Sequence, residues 1–351
     1  MKSQSMATTR VAIVNVTGYI GVDIARILLR HPEVELTCVT GRSQAGKTLA
    51  EVFPHLTSSD LVIQPELDAS VDVVFSAMPH KASAEVCEPF VSQGLKVIDI
   101  SADFRLKDLA EYEYWYGVEH PCSQLLEDAV YGLPELHREA IAGARLVANP
   151  GCYPTGAILA LAPAMASGMV TGDIIVDSKS GVSGAGRSLT MTTHYAECNE
   201  SVSAYAVGGH RHMPEIRQEC GLLNPDLGEV VFQPHLIPMT RGILSTCYAR
   251  LSEDWLARGE AAARDVFAVY RDFYMEAPFS AVVDAPPATK HVWGSNYCHV
   301  YARVDVRSGR LLVISAIDNL VRGGAGEAVQ NMNLMCGFPE TCGLEALPVY
   351  P

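Results

Sequence analysis

The sequence has no Cys-x-x-Cys pair among its ten cysteines and no long apolar run free of polar and charged residues. The first absence argues against a zinc ribbon or a redox dithiol, because both need closely paired thiols. The second argues against a membrane span, since the apolar stretch 11–29 contains Asn15, Asp23 and Arg26. A chain of 351 residues needs no disulfides to fold, so we expect free thiols in a reducing cytoplasm and no membrane partner.

Basic residues are also scarce, with 26 Lys and Arg against 40 Asp and Glu and a formal net charge of −14. This balance argues against nucleic acid or an anionic membrane surface as the main partner. Residues 1–9 lack the apolar core of a signal peptide, and we expect them to form an irregular tail. The length, with 48% hydrophobic residues, predicts two globular domains and an ample core.

The start of the chain has the pattern of a dinucleotide-binding unit. A β-branched run at 11–16 predicts a buried strand, followed by a helix over 22–30 and a second strand over 34–40. Gly18 would let the backbone approach a pyrophosphate, and Gly21 would let the helix pack closely on the strand. Asn15 replaces the usual first glycine and is tolerant of a left-handed backbone. An ordinary strand–helix turn is the alternative interpretation.

The end of the second predicted strand favours NADP(H) as the cofactor. NAD-binding folds place an acidic residue there for the ribose 2′-hydroxyl, but residues 38–44 contain none. Arg42, together with Thr40 or Ser43, would instead hold a 2′-phosphate. The alternative for Arg42 is a solvated loop residue.

Two further strands are predicted at 72–77 and 95–100. Loops at the carboxyl ends of parallel strands line the ligand crevice of such folds. Arg105 follows the second strand and is a candidate clamp for a phosphate or carboxylate, because a guanidinium binds either group with two hydrogen bonds. An ion pair with Asp103 is the structural alternative.

The second half of the chain predicts an α+β domain. A helix is expected over 258–274, and a last helix over about 324–335 is expected to return to the first domain. The predicted fold class is therefore α/β, with a Rossmann-type doubly wound parallel sheet and a second α+β domain whose sheet is mixed or antiparallel. The expected domains are 1–150, completed by about 318–351, for NADP binding, and 151–317 for catalysis and oligomerisation. The strands expected in the second domain are 174–178, 229–233, 244–251, 299–306 and 311–317.

Cys152 lies between a helix-breaking Pro-Gly pair and an apolar run, 157–166. Pro154 suits the first turn of a helix, so Cys152 is predicted at or just before a helix N-terminus. The N–H groups and dipole at such an end favour a thiolate and an adjacent oxyanion. Cys152 is therefore a candidate nucleophile, and a buried structural cysteine is the alternative.

Two histidines and a small-residue loop complete the candidate site. His210 and His212 would point to the same side of an extended segment, but no third metal ligand is evident, so we expect no metal and an acid–base role for one of them. His210 is favoured because it follows Gly208 and Gly209, which can bring the backbone close to the site, and His212 as the proton carrier is the alternative. We also expect His210 to shape the pH dependence of activity near neutrality. The loop 180–187 lacks the Lys-Ser/Thr ending of a P-loop, although Ser183 and its backbone N–H groups could touch an anion.

Taken together, these segments make the chain resemble the N-acetyl-γ-glutamyl-phosphate reductase family, which is related to aspartate-semialdehyde dehydrogenase. The resemblance implies reduction of an acyl phosphate by NADPH in arginine biosynthesis, with Cys152 as nucleophile, His210 as acid–base and Asn319 near the nicotinamide. The matching segments are 101–105 (SADFR), 131–135 (YGLPE), 149–155 (NPGCYPT), 180–187 (SGVSGAGR), 210–215 (HRHMPE), 238–242 (PMTRG), 318–321 (DNLV) and 328–333 (AVQNMN).

The expected site follows from the motifs and the resemblance together. The partners expected are a small acyl phosphate and phosphate, with the chain forming a homodimer or homotetramer. The residues expected to bind the cofactor are Asn15, Thr17, Gly18, Tyr19, Gly21, Thr40, Arg42, Ser43, Pro79, Ser183, Gly184 and Asn319. The residues expected to bind the substrate are Arg105, Asn149, Ser180, His212 and Arg241.

Three other interpretations stay open. One is the same reaction on a carrier-protein-linked aminoadipyl phosphate in lysine biosynthesis. A second, reduction of aspartyl phosphate, is disfavoured by the motif strings. The third is a non-catalytic nucleotide sensor, against which the presence of both Cys152 and His210 in their motifs argues.

Overall fold

The computed structural model describes residues 8–351, in two compact units. One unit contains residues 8–149 and Ala325–Glu345, and the other contains Pro150–Gly324 and Ala346–Pro351. Most of the tail expected at 1–9 lies outside the described residues, and Thr9 already begins the first strand.

The first unit is built on a sheet of seven strands, all paired in parallel. Val11, Ala12 and Ile13 have no exposed surface, as expected of a strand covered on both faces. The spatial order is β3-β2-β1-β4-β5-β7-β6, so the strand order reverses between β1 and β4. The strands are β1 (Thr9–Val14), β2 (Val34–Thr40), β3 (Ile63–Gln64), β4 (Val73–Ser76), β5 (Lys96–Asp99), β6 (Val130–Tyr131) and β7 (Leu146–Ala148).

The second unit contains a mixed sheet in the order β12-β13-β14-β11-β8-β10-β9. β8 pairs with β10 in parallel, and β12 with β13, whereas the other pairs are antiparallel. The predicted fold class is therefore confirmed in both parts. The strands are β8 (Val170–Ser180), β9 (Ser203–Ala204), β10 (Leu227–Leu236), β11 (Ile243–Leu251), β12 (Ser280–Val282), β13 (Cys298–Asp305) and β14 (Arg310–Ile317).

Helices flank both sheets. In the second unit, the apolar helix α6 packs on β11 and β14, and Ser315 Oγ of β14 donates to the Gly156 carbonyl at 2.7 Å. The helices are α1 (Tyr19–Leu28), α2 (Leu49–Val52), α3 (Ser83–Ser92), α4 (Leu109–Tyr116), α5 (Pro134–Gly143), α6 (Cys152–Ala166), α7 (Tyr195–Cys198), α8 (Met213–Leu223), α9 (Glu253–Ala257), α10 (Glu260–Phe273) and α11 (Gly326–Cys336).

Two expected boundaries differ from the structure. The helix expected over 258–274 is confirmed as α10 but starts two residues later, at Glu260, because Gly259 has φ 53° and separates it from α9. The return to the first unit, expected at about 318, occurs after Gly324. The reason is that Asp318 and Asn319 are hydrogen-bonded within the second unit, Asp318 to the Gly294 N–H and Asn319 to the Gly242 N–H.

Candidate active site

The turn between β1 and α1 accommodates asparagine in place of glycine. Asn15 has φ 63°, so it adopts the left-handed conformation that the sequence suggested it would tolerate. Its N–H donates to Thr40 Oγ1 at 3.1 Å, and its side-chain amide donates to the Ala77 carbonyl at 2.8 Å. A Cβ on Gly21 would lie 2.9 Å from the Asn15 carbonyl oxygen, so glycine is required there for close packing.

The N-terminus of α1 fits an anionic group such as a pyrophosphate. A Cβ on Gly18 would meet no atom of the described residues within 4 Å, so space lies in front of the helix. Gly18 is the N-cap and offers no capping side chain, and residues 19–22 include no acid. The backbone N–H groups of this first turn therefore suit an anion.

The other residues expected to bind the cofactor in the first unit lie at or just after the carboxyl ends of strands, with Thr40 ending β2 and Tyr19 starting α1. Arg42 and Ser43 are exposed and begin a short 3₁₀ turn directly after β2. Thr17 Oγ1 is 3.3 Å from Asn15 Oδ1. Tyr19 and Pro79 are also exposed, Pro79 in the connection between β4 and α3.

Arg105 and Asn149 are buried and held by the framework of the first unit. Arg105 Nε donates to the Asn149 carbonyl at 2.7 Å, and its Nη2 donates to the Ile100 carbonyl at 2.8 Å. The Asn149 side-chain oxygen accepts a hydrogen bond from Asn331 at 3.1 Å. Arg105 thus joins two backbone segments in addition to any contact with substrate.

Cys152 is the first residue of α6, with Gly151 as the N-cap. The predicted position at a helix N-terminus is therefore confirmed. A Cβ on Gly323 would lie only 2.8 Å from the Cys152 Cβ, so the turn at 321–325 lies against the cysteine. Glycine is needed at 323 for this close approach.

His210 and His212 lie in a turn, so the prediction that they lie in an extended segment is wrong. α8 begins at Met213, and Pro214 is its second residue. His212 is the N-cap of this helix and has helical dihedral angles. The two rings nevertheless lie 4.8 Å apart, and both lie against Tyr153. His210 Nδ1 accepts the His212 backbone N–H at 3.1 Å. In the neutral ring the proton is then on Nε2, which is a donor.

Burial, with a smaller contribution from the nearby Arg211 charge, lowers the pKa of His210 to about 4. The ring is therefore uncharged throughout the neutral range, and its titration does not occur near pH 7. The expectation that His210 shapes the pH dependence near neutrality is corrected accordingly. The neutral ring thus carries a proton on Nε2 that is available for donation.

The loops after β8 and β10 pack together in the second unit. The Val182 N–H donates to the Met239 carbonyl at 2.9 Å, and the Gly181 N–H donates to the Gly242 carbonyl at 2.9 Å. Asn319 Nδ2 donates to Ser183 Oγ at 3.0 Å. The structure thus brings several expected residues into one cluster. They are Ser180, Ser183, Gly184 and Asn319.

Arg241 lies close to this cluster and is partly exposed. Its Nη1 is 3.7 Å from the fully buried Asp318 Oδ1. Asp318 also accepts the backbone N–H groups of Leu320 and Val321, at 2.9 and 3.0 Å. Asp318 therefore orders the turn that leads to Gly323.

Sequence reasoning missed three side chains of this site. Glu215, fully buried, accepts the Gly151 N–H at 3.0 Å and so fixes the residue before Cys152. The Tyr153 and Tyr205 hydroxyls are 2.9 Å apart, and the Tyr205 ring lies 5.7 Å from His210. Glu215 belongs to a motif noted in the sequence, but no role was predicted for it. No pattern in the sequence pointed to Tyr205.

Among residues 8–351, no three His, Cys, Asp or Glu side chains group in a way that could hold a metal ion. In the same range, no helix has both the length and the hydropathy to cross a membrane.

Two family models match the chain. The model described as semialdehyde dehydrogenase, NAD binding domain, matches residues 10–144. The model described as semialdehyde dehydrogenase, dimerisation domain, matches residues 152–319. The first unit therefore contains a nicotinamide-dinucleotide-binding domain, and the two matches together account for most of the chain.

Solved structures share the fold. Aspartate semialdehyde dehydrogenase II from Vibrio cholerae, complexed with ASA, has a TM-score of 0.71 at 18% identity, covering 95% of this chain and 99% of that one. Aspartate semialdehyde dehydrogenase with NADP from Candida albicans has a TM-score of 0.69 at 17% identity, covering 94% and 99%. At these identities the likeness concerns the fold alone.

Curated relatives match at far higher identity. An N-acetyl-gamma-glutamyl-phosphate reductase of Dehalococcoides mccartyi is 54% identical over 347 residues, covering 99% of this chain and 100% of the relative. One from Pelotomaculum thermopropionicum is 49% identical over 351 residues, covering 97% and 99%. With its nucleotide-binding turn and the cysteine at a helix N-terminus, this chain belongs to the N-acetyl-γ-glutamyl-phosphate reductase family of oxidoreductases.

Proposed function

We propose that the protein reduces N-acetyl-γ-glutamyl phosphate to N-acetylglutamate 5-semialdehyde, with release of phosphate, in cytoplasmic arginine biosynthesis. The observation that carries this proposal is the placement of Cys152 at the first position of α6, within a chain 54% identical to a relative of that name. None of the ten cysteines, all within the described residues, is in a disulfide bond, which suits a reducing compartment.

The Cys152 thiolate attacks the acyl carbon of the substrate in the first step. A C–S bond forms, the C–O bond to phosphate breaks, and phosphate leaves with the electron pair. Bound NADPH supplies the hydride that reduces the resulting thioester. The C–S bond of the thiohemiacetal then breaks, which releases the aldehyde and regenerates the thiolate. Backbone N–H groups at the start of α6 stabilise the oxyanion in both halves of the reaction.

His210 acts in this mechanism as a neutral donor. Its Nδ1 is engaged by the His212 N–H, so Nε2 carries the proton. His210 Nε2–H donates a hydrogen bond to the developing oxyanion and keeps its proton, while the proton that the overall reaction consumes comes from solvent and ends on the released phosphate. The helix N-terminus, rather than this ring, favours the thiolate of Cys152.

The assay that tests this function follows NADPH oxidation with N-acetyl-γ-glutamyl phosphate, and NADP reduction with the semialdehyde and phosphate. We expect turnover in both directions and strict dependence of the reverse direction on phosphate. Aminoadipate semialdehyde on its carrier protein and aspartate semialdehyde are assayed as alternative substrates. Preference for the carrier-linked compound would assign the chain to lysine biosynthesis. NADPH binding without turnover of any of these compounds would show that the protein is a nucleotide sensor.

Arg42→Ala is expected to raise the KM for NADPH about tenfold or more, with a much smaller effect on the KM for NADH. The reason is that Arg42 is exposed directly after β2, where the loop contains no acid for a ribose hydroxyl and a guanidinium would pair with a 2′-phosphate. Steady-state kinetics with both cofactors measure the effect. Arg30→Ala, an exposed arginine outside that loop, is the control. An unchanged ratio between the cofactors would contradict the assignment.

We further propose a homodimer or homotetramer that assembles through the outward face of the second sheet. Side chains alternate along β8 and β10, and Ile175 and Val231 are 44% and 53% exposed on that face. Large apolar side chains exposed at the centre of a sheet favour contact with another surface. In a symmetric assembly, that other surface belongs to a second copy of this chain.

A further inference from the structure

Two of the sequence motifs have no role in the mechanism described so far. They are 131–135 (YGLPE), which joins β6 to α5, and 328–333 (AVQNMN), which lies in α11. In the structure, Asn331 of the second motif donates one hydrogen bond to Gly132 of the first and one to Asn149. All three residues belong to the first unit. The two motifs therefore meet at a residue that is expected to bind the substrate.

The contact with Gly132 fixes the orientation of two side-chain amides in turn. Asn331 Nδ2 donates to the Gly132 carbonyl at 2.8 Å and to Asn149 Oδ1 at 3.1 Å. A carbonyl oxygen only accepts hydrogen bonds, so the end of the Asn331 amide at Gly132 must be its NH₂ group. The second N–H of this group requires an acceptor, so the oxygen of the Asn149 amide faces it. The Nδ2 group of Asn149 consequently faces away from Asn331.

The Gly132 carbonyl is itself held in place by the sheet. The Gly132 N–H donates to the Ala148 carbonyl at 2.8 Å, next to the pairing of β6 with β7. A Cβ on Gly132 would lie 2.5 Å from Asn331 Nδ2 and 2.6 Å from Val147 Cγ1, so glycine is required for this close approach. The series of hydrogen bonds thus begins at a backbone atom that cannot reorient.

The backbone of Asn149 is also fixed. Its N–H donates to the Asp99 carbonyl at 2.8 Å, and its carbonyl accepts Arg105 Nε at 2.7 Å. Neither Asn149 nor Asn331 has any exposed surface. With the backbone and Oδ1 held, the direction of the Asn149 NH₂ group is set, three residues before Cys152 in the chain.

Asn331 uses only the donor end of its amide. Its Oδ1 is buried and has no hydrogen-bond partner among residues 8–351, an arrangement that costs free energy. Asn333, two residues further along α11, uses both ends. Its Nδ2 donates to two backbone carbonyls at 3.1 and 2.9 Å, and its Oδ1 lies 2.9 Å from His31 Nε2. The contrast indicates that the donor end of Asn331, which orients Asn149, is what this position requires.

We propose that Asn331 is a positioning residue, which turns the Nδ2 group of Asn149 rather than its carbonyl oxygen towards the substrate. An N–H donor stabilises the negatively charged oxygens of an acyl phosphate, whereas a carbonyl oxygen in its place repels them. The inference rests on the proposed function, and on the expected contact of Asn149 with the substrate, for its catalytic consequence.

A double-mutant cycle tests the proposal with Asn331→Ala, Asn149→Ala and the variant that carries both. We expect Asn331→Ala to lower kcat/KM for the acyl phosphate about 10- to 100-fold, because misplaced groups of a site cost rate steeply. The KM for NADPH is expected to be unchanged. In the Asn149→Ala background, the same substitution should lower kcat/KM no further, because the group that it orients is absent.

Three results of the cycle would overturn the positioning role. They are wild-type kcat/KM in Asn331→Ala, wild-type kcat/KM in Asn149→Ala, and losses that multiply in the variant that carries both.

Asn333→Ala is the matched control, since it removes a fully buried amide from the same helix. We expect it to lower Tm at least as much as Asn331→Ala does, because it removes more hydrogen bonds, and to leave kcat/KM unchanged. An equal loss of kcat/KM in Asn333→Ala would show that the packing of α11, rather than the Asn331 amide, controls the rate, and would overturn the proposal.

Neutron diffraction from the perdeuterated wild-type protein measures the orientation without any variant. We expect deuterium on the Asn149 amide atom that faces away from Asn331, and none on the atom that faces it. The opposite arrangement would overturn the proposal even if the variants lose activity. If the wild-type protein reduces no acyl phosphate, the proposed function fails, whereas neutron diffraction still decides whether Asn331 orients Asn149.

Discussion

Cys152→Ser is expected to lower the kcat for acyl phosphate reduction by at least about 10³-fold, with NADPH binding unchanged. Cys152 is the first residue of α6, where N–H groups and the helix dipole favour a thiolate. A serine hydroxyl at the same place stays protonated at neutral pH and is a far weaker nucleophile. Steady-state kinetics measure the loss, and fluorescence titration with NADPH measures cofactor binding.

Cys336→Ser is the matched control for this prediction. Burial raises the pKa of the Cys336 thiol, so it stays protonated and inert. We expect wild-type turnover from this variant. Mass spectrometry after brief exposure of the wild-type protein to the acyl phosphate without NADPH should find the acyl group on the peptide with Cys152. Substantial turnover by Cys152→Ser would exclude the covalent mechanism.

His210→Asn is expected to lower kcat by roughly 10²–10³-fold, the usual cost of removing a donor that stabilises an oxyanion. The His210 ring lies among Tyr153, Tyr205 and Phe232, and its Nδ1 accepts the His212 N–H. Asparagine keeps polarity at this place, but its shorter side chain does not bring an N–H group to the position of Nε2. Single-turnover kinetics separate the loss of chemistry from any change in binding.

His212→Asn is the matched comparison, since the two rings are only 4.8 Å apart. Its Nε2 is 4.0 Å from Glu215 Oε1, the carboxylate that binds the Gly151 N–H through its other oxygen. We expect this substitution to raise KM more than it lowers kcat. The reverse pattern in the two variants would exchange the roles of the histidines, and unchanged kcat in both would assign the hydrogen bond to the oxyanion to another group.

The pH dependence of kcat/KM provides a second check on His210. Burial lowers its pKa to about 4, so the ring is neutral above about pH 5. As the pH falls through about 4, Nδ1 gains a proton and can no longer accept the His212 N–H, so the ring loses the bond that orients it. The acidic limb that depends on His210 is therefore expected near pH 4 and absent from His210→Asn. A limb near pH 6.5 that disappears in this variant would show that the ring is not desolvated in the working enzyme.

The sequence by itself determined the elements with strong local signals. The β-branched run before Gly18 predicted β1, and the Pro-Gly pair with Pro154 located Cys152 at the start of α6. Asn15 at φ 63° follows from a local preference of its own side chain. These features depend on neighbours within a few residues, so the order of the residues is sufficient to predict them.

Only the tertiary structure decided the contacts between distant segments. Glu215 binds the Gly151 N–H across 64 positions, and Tyr205 meets Tyr153 across 52. The lowered pKa of His210 likewise depends on burial among side chains from several segments. The order of residues contains no local signal for such contacts, because they depend on how the second sheet brings its loops together, and burial follows from that packing.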